Sequence, residues 1–291
     1  MRRITILLLF NLAVLGQAKA QTAHANIRLS QGQTLSVTLQ VKSTVTQQAM
    51  GQAIDFNVEA TGDHSYKVTN HTDDNNTLHH QMDRVQFSFD GMGQKKKFDS
   101  REEKDINGQF GKPIKDMLGK SYDIIIDTGG TVLMAIPEKI TLEESDSRMA
   151  IITNMLKDVF SLIQPPGKGK PSMFKILPDQ PVAPGEKWSY GWQDENGRYS
   201  ETYTLNSVND STILVDYAAT SSTISKAEMM GNPTTTKMNN KTTGKIIIDR
   251  LTGLLIEKNT STESNGSTEG GFGDIPVTAK TTAVLKVTQN Q

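Results

Sequence analysis

After Gln21 the dominant pattern along the chain is an alternation of apolar and polar positions. Leu35, Val37, Leu39 and Val41 are interleaved with Ser36, Thr38, Gln40 and Lys42, and Ile54, Phe56 and Val58 with Asp55, Asn57 and Glu59. A period of two places the apolar set on one face of an extended strand and the polar set on the other. Tyr66 and Val68, then Val85, Phe87 and Phe89, continue the pattern, and Thr61-Gly62-Asp63-His64 and Asp73-Asp74-Asn75-Asn76 read as turns between strands. In the second half Trp188, Tyr190 and Trp192 alternate with small or polar residues. Tyr203 and Leu205, Ile213, Val215 and Tyr217, Ile246 and Ile248, Leu254 and Ile256, and Val277, Ala283, Leu285 and Val287 follow. The pattern predicts half-solvated antiparallel sheet.

One stretch changes period. Met149, Ile152, Met155, Leu156, Val159, Phe160 and Ile163 fall at steps of three and four, after Ser145 and Ser147 as candidate caps, and Pro165-Pro166-Gly167 ends the run. An amphipathic helix over 145–164 is expected, packed on the core of its own chain or lying across a sheet. The organisation that follows is a signal segment at 1–20, a first β unit at 21–143, a helix and Pro/Gly linker at 144–170, and a second β unit at 171–291.

The two units match in detail. Leu29, Gly32, Leu35, Val37 and Leu39 recur at the spacing of Val182, Gly185, Trp188, Tyr190 and Trp192. Ile124-Ile125-Ile126-Asp127 with Gly129-Gly130 parallels Ile246-Ile247-Ile248-Asp249 with Gly253. In both, Asp closes the strand by bonding back to the turn, and Gly supplies the positive φ. The expectation is a mainly β protein of two similar antiparallel curved-sheet meander units with one amphipathic helix between them.

Composition and charge narrow the function. Arg2 and Arg3 precede an apolar run from Ile4 to Leu15 that closes on Ala18-Lys19-Ala20, the form of a cleavable export signal. The run is shorter than the roughly 20 apolar residues of a membrane span, and no second candidate follows. Without Arg2, Arg3 and Lys19 the 31 basic residues fall to 28 against 32 acidic ones, a net charge of −4. Lys95, Lys96 and Lys97 beside Gly93 form the densest basic cluster and read as a hairpin tip, so a nucleic-acid partner is not expected. The absence of cysteine removes thiol nucleophiles, thiolate metal sites and disulfide staples. Periplasm, cell envelope or secretion is the expected destination.

Candidate chemistry is sparse. Asp127-Thr128-Gly129 after three isoleucines resembles the turn that carries an aspartic protease carboxylate, but that chemistry needs two carboxylates sharing a proton, and the matching Asp249-Arg250-Leu251 breaks the motif. A hydrolase using Asp127 is the remotest reading. His64, His71, His79 and His80 crowd one region without a compact ligand spacing and read as solvated surface residues, with no metal or other cofactor expected. Gly266 to Gly273 lacks the Lys-Ser/Thr of a phosphate loop and reads as a flexible connection. Trp188, Tyr190 and Trp192 on one strand face read as core or as a ligand platform.

Leu177-Pro178, Val182, Gly185, Trp188, Tyr203, Gly244, Asp249 and Thr252-Gly253, together with Phe98-Asp99-Ser100 and Leu29 with Gly32, resemble a family of exported Gram-negative bacterial proteins catalogued only as a domain of unknown function. The resemblance runs from Asn26 to Val287 and implies a mostly β architecture and an envelope location. It brings no active site. The leading expectation is a binding module for a lipid or other apolar or amphipathic molecule, with Met155, Val159 and Phe160 on the helix and Trp188 and Trp192 on the sheet contacting the ligand. The alternative is a structural or protein-interaction component of the envelope.

Overall fold

The computed structural model describes residues 21–49, 52–91, 93–108, 110–141, 156–229, 232–271 and 273–290. Among the described residues, twelve strands form a single antiparallel sheet. They are β1 (Thr34–Ala49), β2 (Gln52–His71), β3 (Asn75–Gly91), β4 (Gln94–Asp99), β5 (Ser121–Asp127), β6 (Val132–Ile136), β7 (Lys187–Asp194), β8 (Gly197–Val208), β9 (Thr212–Met229), β10 (Asn232–Asp249), β11 (Leu255–Gly270) and β12 (Gly273–Asn290). Their order is β6-β5-β3-β2-β1-β12-β11-β10-β9-β8-β7, with β4 added to β3 off this path. The mainly β architecture expected from the alternation is present. β1 pairs with β12 from Thr34↔Asn290 to Gln47↔Val277, so the two halves share one continuous ladder. At 20 residues β2 extends roughly 65 Å.

The halves repeat turn by turn. Gly32 and Gly185 both take positive φ, 85° and 91°. The Gly32 N–H donates to the Val68 carbonyl and that of Gly185 to the Leu205 carbonyl, at 2.8 and 2.7 Å. Thr72 N–H donates to Asn75, and Asn209 to Thr212, at the two following hairpins. The register then slips at Val68/Asn70 in one half and at Leu205/Ser207 in the other. The Asp127 carboxylate accepts the Thr131 N–H at 2.8 Å, and that of Asp249 the Thr252 N–H at 2.7 Å. Between these last two turns runs the N-terminal segment, where Ile27 N–H donates to the Thr128 carbonyl and Arg28 N–H to that of Thr252.

One face of the sheet holds the core. Leu35, Val37, Leu39 and Val41 of β1 share it with Val58, Ala60 and Tyr66 of β2, Leu205, Val215, Ile246 and Ile248. Over it pack Ile27 and Leu29, the short helix α3 (Lys157–Phe160) with its following 3-10 turn (Ser161–Ile163), and the stretch holding Phe174, Ile176 and Leu177. The opposite face carries charges, with Lys42 against Glu59 and Lys286 against Glu257.

Three expectations change. Thr61-Gly62-Asp63-His64 is the middle of β2, where the register slips at Asp63/His64. Gly62 is there for proximity, since a Cβ on it would meet Val159 Cγ1 at 2.6 Å. Gly266–Gly270 completes β11 and Gly273 opens β12, so that stretch is hairpin ladder, held by strands on both sides. Two helices after β4 were not anticipated: α1 (Glu103–Ile106) lies against β4, and α2 (Gly111–Leu118) packs on β3 and buries Ile114 and Met117. The expected helix over 145–164 is helical within Lys157–Ile163, and its earlier part, like the export segment, lies outside the described residues.

Candidate functional site

In an antiparallel ladder, residues directly opposite share a face. Two rows run across the core face from the β7 edge to β11. Trp188, Tyr203, Tyr217, Gly244 and Thr260 form one; Tyr190, Glu201, Ala219, Thr242 and Thr262 form the next. The Glu201 side chain is therefore directed onto a face otherwise lined by rings and hydroxyls. Its two carboxylate oxygens each accept a phenol, from Tyr203 at 2.9 Å and Tyr217 at 2.8 Å. Burial first, then the Glu201 charge, raises both phenols far above their usual range and keeps them as donors. Lys258 Nζ sits 3.9 Å from the Tyr217 ring centre. Burial lowers the Lys258 ammonium, and Glu201 offsets that in part.

Around this group the aromatics stack outward to the sheet edge. Trp188 lies parallel to Tyr203 with centroids 5.5 Å apart and donates its indole N–H to the Ile176 carbonyl. Trp192 lies parallel to Tyr199 at 5.0 Å and is 40% exposed, and Tyr190 is 38% exposed. Beyond them the face continues as half-buried Ser221, Asn240, Ser264 and Ala279, with hydroxyl pairs Thr242–Thr262 and Ser43–Thr281 at 2.8 Å. The arrangement offers flat rings, one carboxylate, one ammonium and a row of hydroxyls on an open surface. A shallow depression of about 400 Å³ lies elsewhere, around Thr44, Glu263 and Lys280 on the charged face.

The five residues singled out from sequence separate. Met155 lies outside the described residues. Val159 and Phe160 are buried on α3, which packs on β1 and β2, whereas Trp188 and Trp192 stand on β7 at the sheet's other side. Trp188 joins the core at its rim and Trp192 does not. Glu201, Tyr217 and Lys258 were missed. A glutamate between Tyr199 and Tyr203, at inward positions of an alternating strand, was the available signal.

The histidines also divide. His79 pairs with Asp123 on the outer face and His71 with Asn76. His64 and His80 are each 1% exposed, against the expectation of solvated surface residues, because Val159 of α3 lies against His64 on β2 while Tyr66 and Tyr122 pack on His80. No group of three or more His, Cys, Asp or Glu suited to a metal occurs among the described residues. No helix among them is long and apolar enough to cross a membrane.

Residues 73–255 match the model of DUF6263, described as a family of unknown function. The chain is a member of DUF6263. The matched region begins at the first repeated hairpin and ends at the turn after Asp249. The motif residues Asp99 and Ser100 of this DUF6263 member dock β4: Asp99 receives Arg84 through Nε at 3.0 Å and Nη2 at 2.5 Å, and Ser100 Oγ accepts the Val85 N–H. Among solved structures, a lipovitellin structure described by its lipid–protein interactions has a TM-score of 0.48 and 8% identity, covering 90% of this chain and 26% of that one. The chain thus spans about a quarter of the lipovitellin chain's length. An outer membrane channel from Pseudomonas putida F1 has a TM-score of 0.25 and 7% identity, covering 90% and 98%. No curated protein matches the chain significantly.

Proposed function

We propose that the protein is a non-enzymatic binding module of the periplasm or cell envelope that holds an amphipathic ligand on the open part of its core face. The observation that carries this reading is the exposed aromatic edge, Tyr190 and Trp192, running directly into the Glu201–Tyr203–Tyr217–Lys258 group. Ring faces offer contact area to an apolar chain or ring, while the carboxylate, ammonium and threonine hydroxyls orient a polar end. A wholly apolar ligand would leave Glu201 and Lys258 without water, so a molecule with both characters fits better. Val159 and Phe160 serve the closed end of the core, and Trp188 props Tyr203. The Asp127 carboxylate is engaged by its own turn, as is that of Asp249, which supports a structural role over hydrolysis. The export-like residues 1–20 support the envelope location.

Native mass spectrometry of the protein purified gently from an envelope fraction, with solvent extraction of the same sample, tests this. A stoichiometric small-molecule adduct that is lost in Trp192→Ala and Glu201→Gln supports the binding module; a bare mass from folded protein opposes it. Capture of a protein instead would favour the interaction component, a reading suggested by Leu133, Met134 and Ile136, which are exposed on the edge strand β6.

A further inference from the structure

The core beneath α3 holds two histidines that no surface chemistry explains. His64 of β2 and His80 of β3 meet through Nδ1 and Nε2 at 3.1 Å, with ring centres 5.3 Å apart. Whichever tautomer is present, one ring donates to the other. That leaves the His64 Nε2 and the His80 Nδ1, both buried, without a hydrogen-bond partner of good geometry. One of these two is a bare lone pair and the other an N–H, for which the Val159 backbone beside His64 offers only a poorly aligned acceptor. His80 is stacked on Tyr122, centres 4.3 Å apart, and leans on Tyr66 at 4.7 Å. The Tyr122 hydroxyl donates to the Leu162 carbonyl at 2.8 Å, so the Tyr66 hydroxyl donates to it in turn at 3.3 Å. Val159 closes the site from α3, against Gly62. The α3 segment is thus fastened to the sheet over two imidazoles that cannot both be charged while it stays there.

We propose that the His64–His80 pair is an acid-sensitive latch: protonation of the pair releases the α3 segment, Lys157–Ile163, from β1 and β2 while the rest of the sheet stays folded. A first proton can be shared across the His–His hydrogen bond. A second cannot, because two imidazolium rings are both donors and carry like charge at contact distance. The only relief is water, which reaches the pair when α3 lifts. The titratable groups acting on the pair from along its own strands are Asp63 and His79, chain neighbours on the opposite face of β2 and β3. From β5 comes Tyr122, from β2 Tyr66, and from α3 the apolar Val159; the Lys157 and Asp158 side chains of α3 are exposed. The latch is independent of the ligand face proposed above.

The direction follows from burial. Desolvation holds His64 at about 4, with the Val159 backbone and Asp63 offsetting in part, and holds His80 at about 3, with His64 and His79 adding to the shift. Both lie below the ordinary value of about 6.5 expected once α3 has lifted. The open state therefore binds more protons between the two ranges, so the closed state is fully favoured above about pH 6.5 and loses ground as pH falls through 6.5 toward 4. With two protons taken up on opening, the opening constant rises on the order of 500-fold from pH 7 to pH 5, and with one proton about 20-fold.

Hydrogen exchange of the mature chain, corrected for the intrinsic pH dependence of amide exchange, reads this directly. Protection of residues 157–163 should fall by several hundred-fold between pH 7 and pH 5 while β10 and β11 amides keep theirs, and His80→Phe should cut that dependence to the one-proton value. Nitrogen NMR of the ring atoms in the unaltered protein gives a check that needs no variant: His64 and His80 should stay neutral at pH 6 and charge together with the loss of protection. Ordinary titration of both rings near 6.5 with α3 still protected would overturn the latch. So would loss of β10 and β11 protection in step with α3, since that would make the pair a contributor to global stability alone.

Discussion

The two halves of the sheet build the same constellation and finish it differently. Counting from the shared glycine and aspartate turns, Tyr66 corresponds to Tyr203, His64 to Glu201, His80 to Tyr217, Tyr122 to Gly244 and Gly62 to Tyr199. In the first half the ring cluster is neutral, dry and covered by α3. In the second a carboxylate replaces the imidazole, Tyr199 stands where Gly62 would admit a helix, and the edge lies open. A scaffold that tolerates either finish has its stability set by the ladder and turns; the occupant of the face is then free to diverge. The lesson is that exposure of the β7 to β9 face is a built difference, made by a bulky ring at one position and a glycine at its counterpart.

The largest test of this comparison is Tyr66→Ala. The side chain is fully buried, packs edge-on to Phe174 at 5.2 Å and holds the Tyr122 hydroxyl, so the loss of unfolding free energy in urea should be about 3 to 5 kcal/mol. A loss under about 1 kcal/mol would mean that the first-half cluster is not the closed one.

Next is Gly62→Ala, which sharpens the role of the missing Cβ. A methyl group at that point overlaps Val159 Cγ1, and overpacking of this kind costs about 1 to 3 kcal/mol. Combining it with Val159→Ala should recover part of the loss in a double-mutant cycle, because the smaller side chain vacates the overlap. No recovery would place the strain in β2 itself. Tyr122→Phe is expected to be smaller, about 1 to 2 kcal/mol, since it unpairs the Leu162 carbonyl and leaves the stacking on His80 intact.

How much of this could be read from the chain depends on how local each cause is. The alternation of Leu35 to Val41 needs only neighbours to specify a buried face, and the Asp127 and Asp249 turns close through their own backbone, so both were legible. Gly62 looked like a turn residue because its reason, the approach of Val159, lies about a hundred residues away. The burial of His64 and His80 follows from the same contact, and so was hidden with it. Glu201 was passed over for another reason: a glutamate in a strand reads as outward-facing, although its place between Tyr199 and Tyr203 and the match of the second half to the first both assign it the inward position of His64. Of the site, the tryptophans were legible as a row, but not that the row runs from the core rim at Trp188 to solvent at Trp192.

The smallest expected effect on stability separates scaffold from surface most cleanly. Trp192→Ala removes a ring that rests on Tyr199 and is otherwise 40% exposed on an edge strand, so it should change unfolding free energy by no more than about 1 kcal/mol. The same substitution removes the outermost ring of the aromatic edge, and binding of an amphipathic ligand should weaken by about tenfold or more, read by loss of the co-purifying adduct or by titration of the extracted molecule. Stability and binding move apart only if Trp192 is there to touch something other than its own chain. Were the substitution instead to cost as much as Tyr66→Ala, the second half would be closed like the first, and the difference on which the proposed function rests would vanish.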